Sequence, residues 1–175
     1  MRAERSATRM LRPLAGAVAG AALVLSAGGA GSQQPIAPPP TGFAYAVKFI
    51  CGVSTPVKGQ PDPGVVAHGA YYTAINVHNP GKEGVEFTKK FAIALPGEKA
   101  GRISPYFLAA LKADEALEID CPDILKHLDA GGFVKGFAVI QSKLELDVVA
   151  VYTAAPSTAG TVATLELERV PARKY

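Results

Sequence analysis

The chain has 175 residues with 18 Lys+Arg, 15 Asp+Glu and a formal net charge of +3. Residues 1 to 30 hold four of the basic groups and one of the acidic ones, which leaves 14 of each sign in the remainder. About 145 residues at roughly zero net charge exclude two ordinary domains, and without a Lys/Arg cluster to track phosphates they exclude nucleic acid as a partner.

The first thirty residues differ in kind from the rest of the chain. Arg2, Arg5, Arg9 and Arg12 precede an uncharged run of Ala, Leu, Val and Gly from Leu14 to Ala30, the order of a secretory signal peptide. Gly28 and Ala30, or Ala27 and Gly29, suit a signal peptidase, so cleavage is expected near Ala30. The competing reading is an uncleaved leader kept as a membrane anchor, although the run is at the short limit for a span. The expected location is periplasmic or extracellular. No cysteine follows the leader to accept a lipid. Residues 31 to 42 form a Pro-rich spacer, "QQPIAPPPTG" at its centre, expected to be extended and unpacked.

From Phe43 the dominant period is two. In "FAYAVKFIC" one face collects Phe43, Tyr45, Val47, Phe49 and Cys51. Residues 53 to 71 read as a long Pro- and Gly-rich loop with no obvious strand, of the kind that carries binding on a sandwich end. In "YYTAINVH" the inward set is Tyr71, Thr73, Ile75 and Val77, leaving Tyr72, Ala74, Asn76 and His78 opposite. Asn79-Pro80-Gly81 then reads as a hairpin turn, with Pro fixing one φ and Gly supplying a positive one. In "VEFTKKFAIAL" the inward set is Val85, Phe87, Phe91, Ile93 and Leu95. Lys89 shares that parity, which predicts a bulge or an edge position there.

"SPYFLAALKADEA" reads equally as helix or extended chain. "ALEID" alternates with Leu117 and Ile119 inside. One short helix is expected in "PDILKHLDAGG", with Pro122 at a first helical position, Asp123 at the positive end and Gly131-Gly132 stopping it. "FVKGFAVIQ" and "LDVVAVYT" are apolar on both parities, as central strands covered on both faces tend to be. "VATLELERV" alternates again with Leu165 and Leu167. Seven or eight short strands and one short helix predict an all-β, antiparallel immunoglobulin-like β-sandwich over residues 43–170, with 171–175 as a tail.

Cys51 and Cys121 are the only cysteines. Each lies on the inward parity at the end of a strand, and in an exported chain the pair predicts a disulfide. Closing a loop of about seventy residues, it would stabilise the fold by roughly 3 to 4.5 kcal/mol. The alternatives are two buried free thiols, or a metal site drawing on Cys121 and His127 with His68 or His78. Blue copper fits poorly, since it usually takes a weak axial methionine and Met1 and Met10 both lie in the leader. No cofactor is expected.

His78 is the residue most open to a catalytic reading, but a base needs a nucleophile and an orienting acid nearby, and neither a G-x-S-x-G elbow nor a Cys-His signature is present. A structural or surface role is the simpler expectation. The acidic run Asp114, Glu115, Glu118, Asp120 and Asp123 offers Glu118 and Asp120 on one outward strand face, as a glycosidase-like pair, a weak cation site or ordinary solvation. The candidate recognition surface is Tyr71, Tyr72, Asn76, His78 and Asn79.

"AVKFICG", "AINVHNPG", "LEIDCPDI", "GFAVIQS" and "LDVVAVYTA" together resemble a family of small uncharacterised exported bacterial β-sandwich proteins. That resemblance spans residues 46 to 154 and carries no activity with it. In architecture the chain is also similar to the sensory rhodopsin transducer family, through a strand leading to an asparagine-containing turn and the later Val139-Ile140-Gln141-Ser142. This second likeness implies a sandwich able to oligomerise. The functional expectation is an exported, non-enzymatic module that binds a protein or an envelope component through loops at one sandwich end, touching a membrane only through an uncleaved leader. The rivals are an exported hydrolase using His78 or the Glu118/Asp120 strand, and a metal-binding periplasmic protein.

Overall fold

The computed structural model describes residues 36–55, 67–156 and 162–175. The expected signal peptide, the start of the expected spacer and the centre of the 53–71 loop lie outside the described residues. Among the described residues ten strands and one helix make an all-β, wholly antiparallel, sandwich-like domain: β1 (Phe43–Ser54), β2 (Gly69–His78), β3 (Val85–Leu95), β4 (Lys99–Ile103), β5 (Phe107–Leu111), β6 (Ala116–Asp120), α1 (Cys121–Leu128), β7 (Val134–Ser142), β8 (Asp147–Ala155), β9 (Thr164–Arg169) and β10 (Arg173–Lys174). Among the described residues no helix is long and apolar enough to cross a membrane.

One layer, sheet A, runs β10-β1-β7-β3, with β5 and β4 sharing the far edge of β3. The other, sheet B, runs β9-β8-β2, with β6 and the end of β1 sharing the far edge of β2. Two chain segments change layer. β1 pairs with β7 as far as Cys51 and with β2 from Gly52 onward. The change occurs where Gly52 has φ +99°, and a Cβ there would lie 2.1 Å from the carbonyl oxygen of Gly132, so only glycine fits. The C-terminal end of β9 crosses the other way: Val170 still donates to Val148, then β10 pairs with the start of β1 and Tyr175 exchanges two backbone hydrogen bonds with Gly42. Within the expected tail 171–175, Arg173 and Lys174 therefore join the sheet and Tyr175 is tied to it.

The alternation read from sequence places most of the core, although Leu95, assigned to the inward set of β3, is 47% exposed and Tyr71 of β2 is only half-buried. Tyr45, Val47, Phe49, Phe87, Phe91 and Ile140 from sheet A meet Ile75, Val77, Ile119, Val148 and Ala150 from sheet B, with Ile124 and Leu128 of α1. Each large side chain so buried contributes about 1.5–3 kcal/mol. Cys51 and Cys121 are joined, with Cα atoms 5.5 Å apart. Beside the bridge, buried Thr73 donates its amide to the Cys121 sulfur at 3.1 Å, and its hydroxyl exchanges hydrogen bonds with the backbone of Ile50 at 3.0 Å each.

Two expectations are corrected and one left open is decided. Within 104–116, Phe107–Leu111 form β5, because they pair with β3 from Val85 to Lys89. No bulge or edge occurs at Lys89: β3 runs in unbroken register against β7 and is covered by β5 on its other side. Lys89 stays half-buried, and burial holds its amine below the usual lysine range. The bulge falls later, between Ala92 and Ala94. β7 is central in sheet A, yet its outer face is not covered, since Phe137 is exposed beneath the Lys48 ammonium at 4.8 Å.

Helix α1 starts as expected and stops earlier. Asp120 caps it, accepting from the Asp123 amide at 3.0 Å, while the Asp123 carboxylate reaches back to the Asp120 amide at 3.4 Å, a reciprocal cap. Asp129 ends it in the left-handed region at φ 46°, ahead of the Gly131-Gly132 pair. Arg102 of β4 donates to the carbonyls of Leu128 and Asp129, satisfying oxygens that a helix end leaves free.

Candidate functional site

Pairing across sheet B fixes which side chains share its outer face. On β2 these are Tyr72, Ala74, Asn76 and His78, standing opposite Thr153, Val151, Val149 and Asp147 of β8. Beyond β8, Arg169, Leu167 and Leu165 of β9 oppose Val149, Val151 and Thr153. On the other side Glu118 and Asp120 of β6 flank Asn76 and Ala74. The result is a four-strand face with an apolar centre and charged margins. Leu165 and Leu167 are 61% and 64% exposed and Tyr72 is 41% exposed, on backbone held rigid by its own ladders.

Tyr72 is tied to the margin: its hydroxyl donates to Asp120 at 2.8 Å. Burial, then that hydrogen bond and the surrounding carboxylates, push its hydroxyl up to about 12. Asp120 thus holds both the helix cap and a tyrosine, and is engaged in structure. Glu118 stands on the same strand face, as the spacing predicts.

His78 closes the lower end of the face. Its Nε2 lies 3.1 Å from Asp114 and its Nδ1 lies 3.4 Å from Asp147, while Arg169 reaches the other oxygen of Asp147 at 2.9 Å. Both ring nitrogens therefore face carboxylates. The hydrogen bond to Asp114 raises the imidazole above its ordinary value, partial burial opposes this, and Asp147 adds to the rise. The ring is thus a bridge across β2, β8 and the turn after β5, with both of its nitrogens taken up by carboxylates.

Asn79, placed in the recognition surface by sequence, is fully buried. Its side-chain amide donates to the carbonyls of Glu83 at 2.7 Å and Lys112 at 2.8 Å, and its side-chain oxygen accepts from Gly81 at 3.0 Å. Its backbone exchanges with Asp114 and Glu115. Asn79 organises two turns and presents nothing to solvent. Tyr71 is half-buried, donates to the Ala67 carbonyl at 2.6 Å and tilts against Phe133. Tyr72, Asn76 and His78 are brought onto one face; Tyr71 and Asn79 are not.

The metal reading loses its ligands. Cys121 is bonded to Cys51. His127 is packed between aromatic rings, its centroid 3.9 Å from Phe107 and 5.6 Å from Phe91, and burial depresses its pKa. Among the described residues no three His, Cys, Asp or Glu side chains converge to hold an ion. Sequence reasoning missed Leu165, Leu167, Val149 and Val151 as surface, because their alternation signals burial whichever side of a sheet is covered.

The fold defines an all-β, disulfide-linked, sandwich-like domain. Comparison with known proteins finds no matching family model, no matching curated protein and no matching solved structure.

Proposed function

We propose that this chain is an exported, non-enzymatic binding module of immunoglobulin-like kind that takes a protein or envelope component on the outer face of sheet B. The observation that carries this reading is the pair of exposed leucines, Leu165 and Leu167, sharing the outer face of sheet B with exposed Tyr72. Grouped apolar side chains on regular strands are costly to hydrate and gain free energy when a partner covers them. The Cys51–Cys121 bridge supports an oxidising compartment. The leader and the family likeness belong to this proposal and not to what the fold establishes.

The catalytic alternatives depend on residues that are committed elsewhere: His78 to Asp114 and Asp147, and Asp120 to Tyr72 and the helix cap. The test is capture from the native envelope with a Leu165→Ser, Leu167→Ser double variant that keeps the parent melting curve. The proposal expects the captured set to shrink. An identical set would remove this face from the account.

A further inference from the structure

We infer that the open edge of β9 receives an extended segment of a partner protein in which apolar and basic residues alternate, adding a strand to sheet B. This rests on the reading of that sheet as the binding face and names what it binds.

The hydrogen-bond parity of β9 carries the first step. Val170 donates to Val148, and these two residues belong to the same register as Ala150↔Glu168 and Tyr152↔Glu166. Even-numbered residues of β9 therefore point their N–H and C=O groups at β8. The backbone groups of Leu165, Leu167 and Arg169 point the other way. Among the described residues no strand pairs with that side of β9, and all six of its residues are exposed. An open edge of this kind is a template for strand addition.

Side chains supply the specificity. On one face of β9 stand Leu165 and Leu167; on the other stand Glu166 and Glu168. Glu168 accepts from the Tyr152 hydroxyl at 2.8 Å. The two glutamates border a groove of about 670 Å³ that Tyr71, Tyr72 and Tyr152 also line. Carboxylates beside tyrosine rings favour ammonium or guanidinium groups. Lys48 lines the groove as well, but its ammonium sits over Phe137. An incoming strand is thus best matched by basic side chains opposite the glutamates and apolar ones opposite the leucines.

The same pattern disfavours a second copy. Antiparallel self-pairing through the edge-facing residues sets Leu167 opposite Leu167, Leu165 opposite Leu167, or Leu167 opposite Arg169. These registers bring together Glu166 with Glu168, Glu166 with Glu166, and Glu168 with Glu168, respectively. Each of these three places like charges directly across, which destabilises a strand pair, and the remaining leucine register, Leu165 opposite Leu165, sets Glu166 against Thr164 and leaves Leu167 and Glu168 without a partner in β9.

The test uses the whole chain at low ionic strength, with a capped peptide of alternating lysine and valine and a control peptide of alternating glutamate and valine. Amide hydrogen exchange is read at Leu165, Leu167 and Arg169. The lysine peptide is expected to slow these three amides about tenfold or more, and the glutamate peptide to leave them unchanged. Glu166→Lys should weaken the lysine peptide roughly fivefold. Leu167→Pro removes one edge donor without touching the β8 ladder and should abolish the protection; if it does not fold, Glu166→Lys decides alone. Unchanged exchange with the lysine peptide, or protection without peptide in a sample that sediments as a dimer, would overturn the inference. If only this test fails while the double-leucine variant still loses its captured partner, the binding face stands and the edge assignment falls.

Discussion

The hydroxyl of Tyr45 donates to the carbonyl of Leu146 at 2.9 Å and accepts from its amide at 2.7 Å, across 101 residues of chain. Both residues are buried, so one side chain satisfies the backbone of the turn that leads into sheet B from a strand of sheet A. Tyr45→Phe leaves that amide and carbonyl without partners. The expected loss is about 1–3 kcal/mol, seen in urea unfolding as a lower midpoint with an unchanged slope.

Reduction of the Cys51–Cys121 bridge frees a loop spanning a sequence separation of 70. Removing that constraint from the unfolded chain should cost about 4 kcal/mol. A calorimetric scan of oxidised against reduced, alkylated protein is expected to show a clearly lower melting temperature. Coincident scans would show that the bridge contributes nothing.

Asn79→Ala should be among the most damaging single changes outside the apolar core. It removes the partners of the Glu83 and Lys112 carbonyls and of the Gly81 amide and leaves a void at a fully buried position, for an expected loss of roughly 2–4 kcal/mol. Chemical denaturation checks the magnitude. Faster amide exchange at Gly81 would place the damage at the turn.

The His78 bridge predicts a pH dependence of definite sign. Its folded pKa is raised above the ordinary 6.5, first by Asp114 and then by Asp147. The charged ring's contribution is therefore fully present below 6.5 and is lost as pH rises through the raised value. Titration of the imidazole resonances should give His78 a higher midpoint than free histidine, and Asp114→Asn should lower it. A midpoint unmoved by Asp114→Asn would refute the assignment.

Much of this was legible in sequence, and the limits have physical causes. The strict alternation in β1 and β2 identified Tyr45, Val47, Phe49, Ile75 and Val77 as core because a pleated strand has only two faces. The two cysteines were paired because they are the only two in the chain, with their inward parity at strand ends adding support. β5 was ambiguous because its assignment depends on β3, twenty residues away, and not on local propensity. Asn79 reads as an ordinary turn residue; its burial follows from Lys112 and Glu115, which no local pattern connects to it. The two acids beside His78 come from separate elements, so no local pattern connects them to it. The apolar outer face of sheet B was hidden for a further reason: parity says that leucines share a side, not whether anything covers it.

Binding at the outer face of sheet B is tested most directly by placing a photo-crosslinking residue at Val151, on that face, and separately at Phe137, on the outer face of sheet A, in the chain produced in its own cell. The account predicts a discrete adduct from position 151 and none from position 137. Adducts of equal yield from both positions, or an adduct from position 137 alone, would contradict it.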